Sequence, residues 1–348
     1  MKKIIYAALA ATLALIAASC DKQALTPGKK EVEGVYILNN GSKDMNNSKI
    51  TVYDPQTKTA VADMFVAANG KVLGDTAQDI LVDGDDIYIS VNISRIIFVT
   101  DKSLKIKKEI RATLPDGTVL SPRYLAKGGN GRVYVTYYEG YLGEINPDGY
   151  KVSTTAVGAS PEGCAWADGK VFVSNSGGAN YPNYEKTVSV VDPVSFKETS
   201  RVEVNINPAT MEAYGDNVFV FSLGDYGATP AKVQRLDAKT LKVNDLEYSS
   251  PTAIALEGET LFVQLILNDE ILKVLHADAI AEGADAEAGD KLRRRFGYGD
   301  DLPAVLLPEL LENAADERGF PCGGAAGEND AGDAFWHVRS SNPASGRR

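Results

Sequence analysis

The chain has 348 residues and a formal net charge of −11, from 36 basic and 47 acidic side chains. Hydrophobic residues at 44% and charged residues at 24% exclude wholesale disorder, and the acidic balance excludes the basic face that nucleic-acid binding needs. Only His276 and His337 carry imidazole, so most of the chain holds no His-based triad or His-ligated metal, and three Cys cannot build a disulfide framework.

Met1-Lys2-Lys3 is a positive n-region, followed by an apolar stretch of 15 residues from Ile4 to Ala18. The stretch is too short to span a bilayer comfortably and ends in small residues, so residues 1–19 read as a secretory signal. Ala17-Ala18-Ser19-Cys20 resembles a bacterial lipobox, with Ala17 where Leu is more usual. That resemblance implies cleavage before Cys20, acylation of its sulfur and amine, and a lipid-anchored protein at the outer membrane. An ordinary signal peptide with an incidental Cys is the alternative. Residues 20–33 are polar with Pro and Gly and read as a lipidated tether.

Residues 34–270 repeat one pattern. Runs of alternating β-branched and aromatic residues, such as Arg132-Val-Tyr-Val-Thr-Tyr-Tyr138 and Lys170-Val-Phe-Val-Ser-Asn175, are bounded by Gly, Asp and Asn and predict strands. Turn residues Asp54, Asp101, Asn146, Asp192 and Asp237 are separated by 47, 45, 46 and 45 residues. A second register agrees: Pro122, Pro161, Pro208 and Pro251 each open a strand that leads into a Gly-containing hairpin. The fold class expected is all-β, a β-propeller of four-stranded blades of about 45 residues; seven are expected and five to six are recognisable. A tandem immunoglobulin-like array would need units about twice as long.

The runs Val171-Phe-Val-Ser-Asn-Ser-Gly-Gly178, Tyr181-Pro-Asn-Tyr184 and Thr187-Val-Ser-Val-Val-Asp192 resemble the YncE/YVTN-type seven-bladed propellers. More narrowly, they resemble surface lipoproteins of gut anaerobes that include the BtuG-like cobalamin-binding group. The resemblance covers residues 34 to about 265. It implies capture of a small molecule, a corrinoid, and its transfer to an outer-membrane transporter.

In a propeller, loops leaving each second strand line the face where ligands sit. On that face the sequence places Asn92, Arg123, Tyr124, Tyr137, Tyr138, Asn175, Tyr181, Tyr184, Asp225 and Tyr226, with Asn39, Asn40, Asp79, Glu162 and Ser176 beside them. Phenols, amides and one Arg suit hydrogen bonding and stacking on a flat, polar-edged ligand, and make a poor nucleophile–base set. Any single Asn or Asp after a strand can equally close its own turn. Asp85 and Asp86 read as solvated turn residues, and Cys164, with no His to activate it, as a small buried side chain. No catalytic residue, metal ligand or cofactor is expected. A glycan- or protein-binding platform is the second reading, and a propeller lyase or lactonase the third.

The repeat fades after Leu261-Phe-Val-Gln264, and residues 271–348 form an atypical tail. Residues 271–348 contain 2 Lys and 7 Arg, against 21 and 6 before them, no Thr, and 14 Ala. This atypical tail reads as frame-shifted or foreign sequence; a genuine C-terminal extension is the alternative. Leu302 to Ala315 has helical spacing of Leu.

Overall fold

The computed structural model describes residues 34–54, 57–248, 250–257, 259–265, 270–276 and 336–340. The signal, the tether with Cys20, the Leu302–Ala315 stretch and most of the tail lie outside the described residues. The protein is an all-β β-propeller. Blade II is β4 (Ala77–Asp83), β5 (Asp86–Val91), β6 (Ile96–Thr100) and β7 (Ile106–Ile110), hydrogen-bonded in that order. Blade III repeats the order with β8 (Pro122–Lys127), β9 (Val133–Tyr137), β10 (Tyr141–Asn146) and β11 (Lys151–Ala156). Blade IV has β12 (Pro161–Ala167), β13 (Lys170–Asn175), β14 (Thr187–Asp192) and β15 (Lys197–Glu203). Blade V has β16 (Pro208–Tyr214), β17 (Asn217–Ser222), β18 (Lys232–Asp237) and β19 (Val243–Leu246). Blade VI shows β20 (Pro251–Glu257), β21 (Thr260–Leu265) and β22 (Glu270–His276), so the blade pattern runs on to His276.

Blade I has β1 (Val35–Asn39), β2 (Lys49–Asp54) and β3 (Thr59–Val61). Its first strand in space comes from the tail: β23 (Trp336–Ser340) pairs antiparallel with β1, Val35 opposite Ser340 and Asn39 opposite Trp336. The seventh blade expected from the spacing falls outside the described residues. A six-residue helix, α1 (Met64–Asn69), interrupts the β3–β4 connection, and its Met64 and Phe65 are buried.

The second strands β1, β5, β9, β13 and β17 are buried almost throughout, because each is covered by a neighbouring blade on both faces. The core is therefore a set of wedges between blades. Tyr88, Ile97 and Val99 of blade II pack with Leu125, Val135 and Ile145 of blade III, and Tyr134 and Leu142 of blade III with Val171 and Val173 of blade IV. Each such side chain contributes about 1.5–3 kcal/mol on burial. The outer strands β7, β11 and β15 carry exposed Lys, Glu, Thr and Ser, which discourages edge-to-edge pairing.

Both repeat registers in the sequence have a structural cause. Asp54, Asp101, Asn146, Asp192 and Asp237 sit in the turns between third and fourth strands, and each side chain accepts a backbone N–H two or three residues on. Each Pro opens a first strand, and just after it the ladder slips: between Pro122 and Leu125, Pro161 and Cys164, and Pro208 and Met211. The slip is a bulge that frees an inner-strand carbonyl. Hydroxyls of the preceding blade bond it: Ser90 to Arg123 O, Thr136 to Glu162 O at 2.6 Å and Ser174 to Ala209 O at 2.7 Å. In blade V the equivalent position is Phe221, which packs into the blade V–VI wedge instead.

Candidate functional site

The loops from second to third strands share one end of the propeller with the connections between blades, as three hydrogen bonds show. Tyr138 N–H donates to Ser121 O, Ser176 N–H to Ser160 O, and Leu223 N–H to Asn207 O. At this end, blades II to V bring a polar group and an aromatic surface together.

The polar group starts at the bulges. Arg123, immediately after Pro122, donates from Nε to Glu162 Oε2 at 2.9 Å and from Nη1 to Gln78 Oε1 at 3.0 Å, and its Nη2 pairs with the same carboxylate. Glu162 follows Pro161 and Gln78 follows Ala77, so all three occupy the same register in adjacent blades. The side chains of Arg123 and Glu162 are only 20% and 12% exposed. Burial pushes the Glu162 carboxyl above the ordinary range, and the Arg123 charge offsets this only in part. For Arg123, burial is the largest effect and opposes the charge, but Glu162, Tyr124 and Tyr138 together outweigh it and the guanidinium is held charged. The guanidinium carbon lies 5.6 Å from the Tyr124 ring centroid and 5.3 Å from that of Tyr138. Burial, then the Glu162 charge, pushes the Tyr124 phenol up to about 12.

The aromatic surface continues outward from Tyr138. A side chain on Gly178 would begin 3.2 Å from the Tyr138 hydroxyl, so glycine there leaves room for that phenol. Beyond it, Tyr184 meets Tyr181 edge-to-face at 5.8 Å and 70°, and Tyr226 at 6.1 Å and 67°. Tyr181 is 73% exposed and Tyr226 70%, while Tyr184 between them is half-buried. Burial raises the Tyr184 pKa, and the charges of Tyr226, Tyr181, Asp225 and Tyr138 add to it in that order.

Two braced loops hold the rings. In the blade IV loop, Ser176 Oγ donates to Ser160 O at 2.7 Å, Ala179 N–H donates to Ser160 Oγ, and a Cβ on Gly177 would collide with the Glu185 nitrogen. In the blade V loop, Asp225 Oδ1 accepts the N–H groups of Gly227 and Thr229, both at 2.8 Å. Those bonds hold the Asp225 carboxyl below the usual range. Gly224 at φ +74° would drive a Cβ into the Thr229 carbonyl, and Tyr226 itself is left-handed at φ +59°.

Of the residues selected from sequence, the structure thus gathers Arg123, Tyr124, Tyr138, Tyr181, Tyr184, Asp225 and Tyr226. Three others have their groups turned into the fold, which corrects their expected place on the ligand face. Tyr137 is 1% exposed in the blade II–III wedge, and its hydroxyl has no partner among the described residues. Asn175 is fully buried: its amide bonds Thr187 and Ser189, and its carbonyl accepts Gly158 N–H. Asn92 is buried and donates to Pro122 O at 3.1 Å, tying blade II to blade III. Gln78 was not singled out in the sequence; its signal is its place in the bulge register.

Cys164 is buried with Sγ 3.8 Å from Tyr124 O, and burial pushes its thiol up, which removes it as a nucleophile. Trp166 stacks on Tyr134 at 5.9 Å, away from this surface. Among the described residues no cluster of His, Cys, Asp and Glu could hold a metal ion. A shallow groove of about 370 Å³ lies at the rim between β7 and β11, lined by Lys108, Arg111 and Tyr150.

No protein-family model matches the sequence, and no curated protein matches it. Among solved structures, Kuenenia stuttgartiensis hydrazine synthase superposes with a TM-score of 0.54 at 13% identity, over 78% of this chain and 86% of that one. A catalytically inactive virginiamycin B lyase from Staphylococcus aureus with quinupristin gives a TM-score of 0.38 at 13% identity, over 72% and 97%. At such identities the likeness to hydrazine synthase is one of fold alone.

Proposed function

We propose that the protein is a non-catalytic binding protein, held at the outer membrane through Cys20, that captures a corrinoid and passes it to a transporter. The observation that carries this reading is the gathering of Arg123, Tyr138 and the Tyr181–Tyr184–Tyr226 rings at one end of the propeller. It offers ring faces to the apolar parts of a flat ligand and polar edges to its amide arms. The Arg123–Glu162 pair is close to neutral in sum, which suits amides better than a free charge. The resemblance of the blade IV loop to BtuG-like lipoproteins supports the ligand class, and the small-residue run before Cys20 supports the anchor.

Calorimetry of the full chain with cyanocobalamin, at about 10 μM protein, tests the ligand. Saturable heat is expected, with the Tyr138→Ala/Tyr184→Ala variant about 30-fold weaker, which corresponds to roughly 2 kcal/mol. No heat and no competition would replace this reading with the glycan or protein platform. For the anchor, the wild type is expected in the membrane fraction, and Cys20→Ser is expected to release the protein or block its maturation. A wholly soluble wild type would overturn the anchor.

A further inference from the structure

Tyr181, Tyr184 and Tyr226 do more than extend a flat surface. Two exposed rings stand at 70° and 67° to a shared central ring, so the three form a notch with walls. Aromatic faces are negative at their centres, and several faces turned on one point favour a cation that is too weakly hydrated to prefer water. A carboxylate belongs to the same loop: Asp225 directly precedes Tyr226 in the chain. Asp225 Oδ1 is taken by Gly227 and Thr229, and those bonds keep the group ionised at neutral pH.

The notch is preorganised. Tyr226 holds its left-handed φ of +59° next to Gly224, whose own φ is +74°. A bulky residue in that conformation costs stability that its surroundings must sustain, and leaving its ring 70% exposed gains little in return for folding alone. The blade IV loop is pinned to Ser160 through Ser176 and Ala179, so Tyr184 meets Tyr226 and Tyr181 from a fixed base.

We infer that Tyr181, Tyr184 and Tyr226, with Asp225, form an aromatic cage for a quaternary alkylammonium group. The class is that of choline and trimethylated amines: a diffuse positive charge with no N–H to donate, met by ring faces and one carboxylate. The cage goes beyond the corrinoid reading, since it needs no contact with Arg123, Tyr124 or Glu162.

The test is a calorimetric titration of the full chain with choline, up to about 10 mM, beside its uncharged carbon isostere 3,3-dimethylbutanol. Choline is expected to saturate, and the isostere to bind at least about tenfold more weakly. Tyr226→Ala should weaken choline at least about tenfold, and Tyr226→Phe should stay within about twofold, since the ring face is what matters. Asp225→Asn keeps the turn acceptor and loses the charge, so about a fivefold loss is expected. Unchanged far-ultraviolet circular dichroism of the variants separates loss of the cage from loss of the fold. No binding of choline, equal binding of the isostere, or an unaltered Tyr226→Ala would overturn the cage. Cyanocobalamin titrated into the same samples keeps the two readings apart: choline binding without corrinoid binding would end the corrinoid reading and leave the cage standing.

Discussion

Where third strands turn into fourth strands, Asp101, Asp192 and Asp237 accept N–H groups of their own turns, and each blade closes by itself. At the opposite end Arg123 reaches across one blade boundary to Gln78 and across another to Glu162. Residue type and position separate the two ends: short Asp side chains inside tight turns at one, and long Arg, Glu and Gln side chains at first-strand starts at the other. A turn of four or five residues lets a short side chain satisfy its own backbone. The longer loops of blades IV and V also brace themselves locally, but they carry Tyr184 and Tyr226 far enough out to meet across a blade boundary. One end is therefore a repeated local device, and the other a surface that exists only once the blades are assembled.

The largest expected effect separates the ion pairs of the two ends. Glu162→Ala strands the Arg123 guanidinium in a largely buried place and is expected to cost about 3 kcal/mol in urea unfolding. Asp216→Ala removes the exposed pair with Lys239 at the turn end and is expected to leave the midpoint unchanged. Equal losses would erase the contrast between cross-blade and local charges.

The glycines give the next contrast. Gly224→Ala meets both a left-handed φ and the Thr229 carbonyl, and is expected to cost about 2 kcal/mol or more together with choline binding. Gly169, in the β12–β13 hairpin at φ +69°, has open space around it, so Gly169→Ala is expected to cost only about 1 kcal/mol. If both cost the same, the blade V loop is no more constrained than a hairpin.

Neighbouring tyrosines sharpen the contrast further. Tyr137→Phe removes a buried hydroxyl that has no partner among the described residues, and is expected to be neutral or stabilising by up to about 1 kcal/mol with ligand titrations unchanged. A loss of binding in Tyr137→Phe would return that residue to the ligand face.

The smallest effect is in the pH dependence. The Asp237 carboxyl is lowered in the fold, chiefly by the Thr240 N–H, so its contribution is present above the unfolded carboxylate pKa and lost as pH falls through the folded value. Glu162 is raised, so its contribution runs the other way, growing as pH falls from the folded value to the unfolded one. Asp237→Asn should therefore trail the wild type at pH 7 and approach it as pH falls below the ordinary carboxylate pKa, while the gap for Glu162→Gln should widen over the same fall. Parallel curves for the two variants would contradict the assigned directions.

The blade repeat was legible because it is a local property. Pro122, Pro161, Pro208 and Pro251 open the first strands, and Asp101, Asp192 and Asp237 close the last turns, since proline and Asx chemistry act within a few residues. The clustering of Tyr138, Tyr181, Tyr184 and Tyr226 was partly legible, because all four follow second strands and so share an end. Tyr137 and Tyr138 could not be told apart. Strand β9 is buried on both faces, so alternation no longer marks which side chain faces a ligand. Asn175 failed for the same reason: a polar group at a strand end advertises a ligand or a buried partner equally, and here Thr187 and Ser189 take it.

By itself, the sequence determined the strands, the blade length and the end of the molecule that carries the longer loops, because propensity, turn chemistry and spacing are written along the chain. Tertiary structure alone decided that Arg123 meets residues 39 and 45 positions away, that Tyr181 and Tyr226 flank Tyr184, and that β1 pairs with β23. Those contacts depend on how each blade is rotated against the next, and that rotation is set by wedge packing between blades, which no single repeat contains.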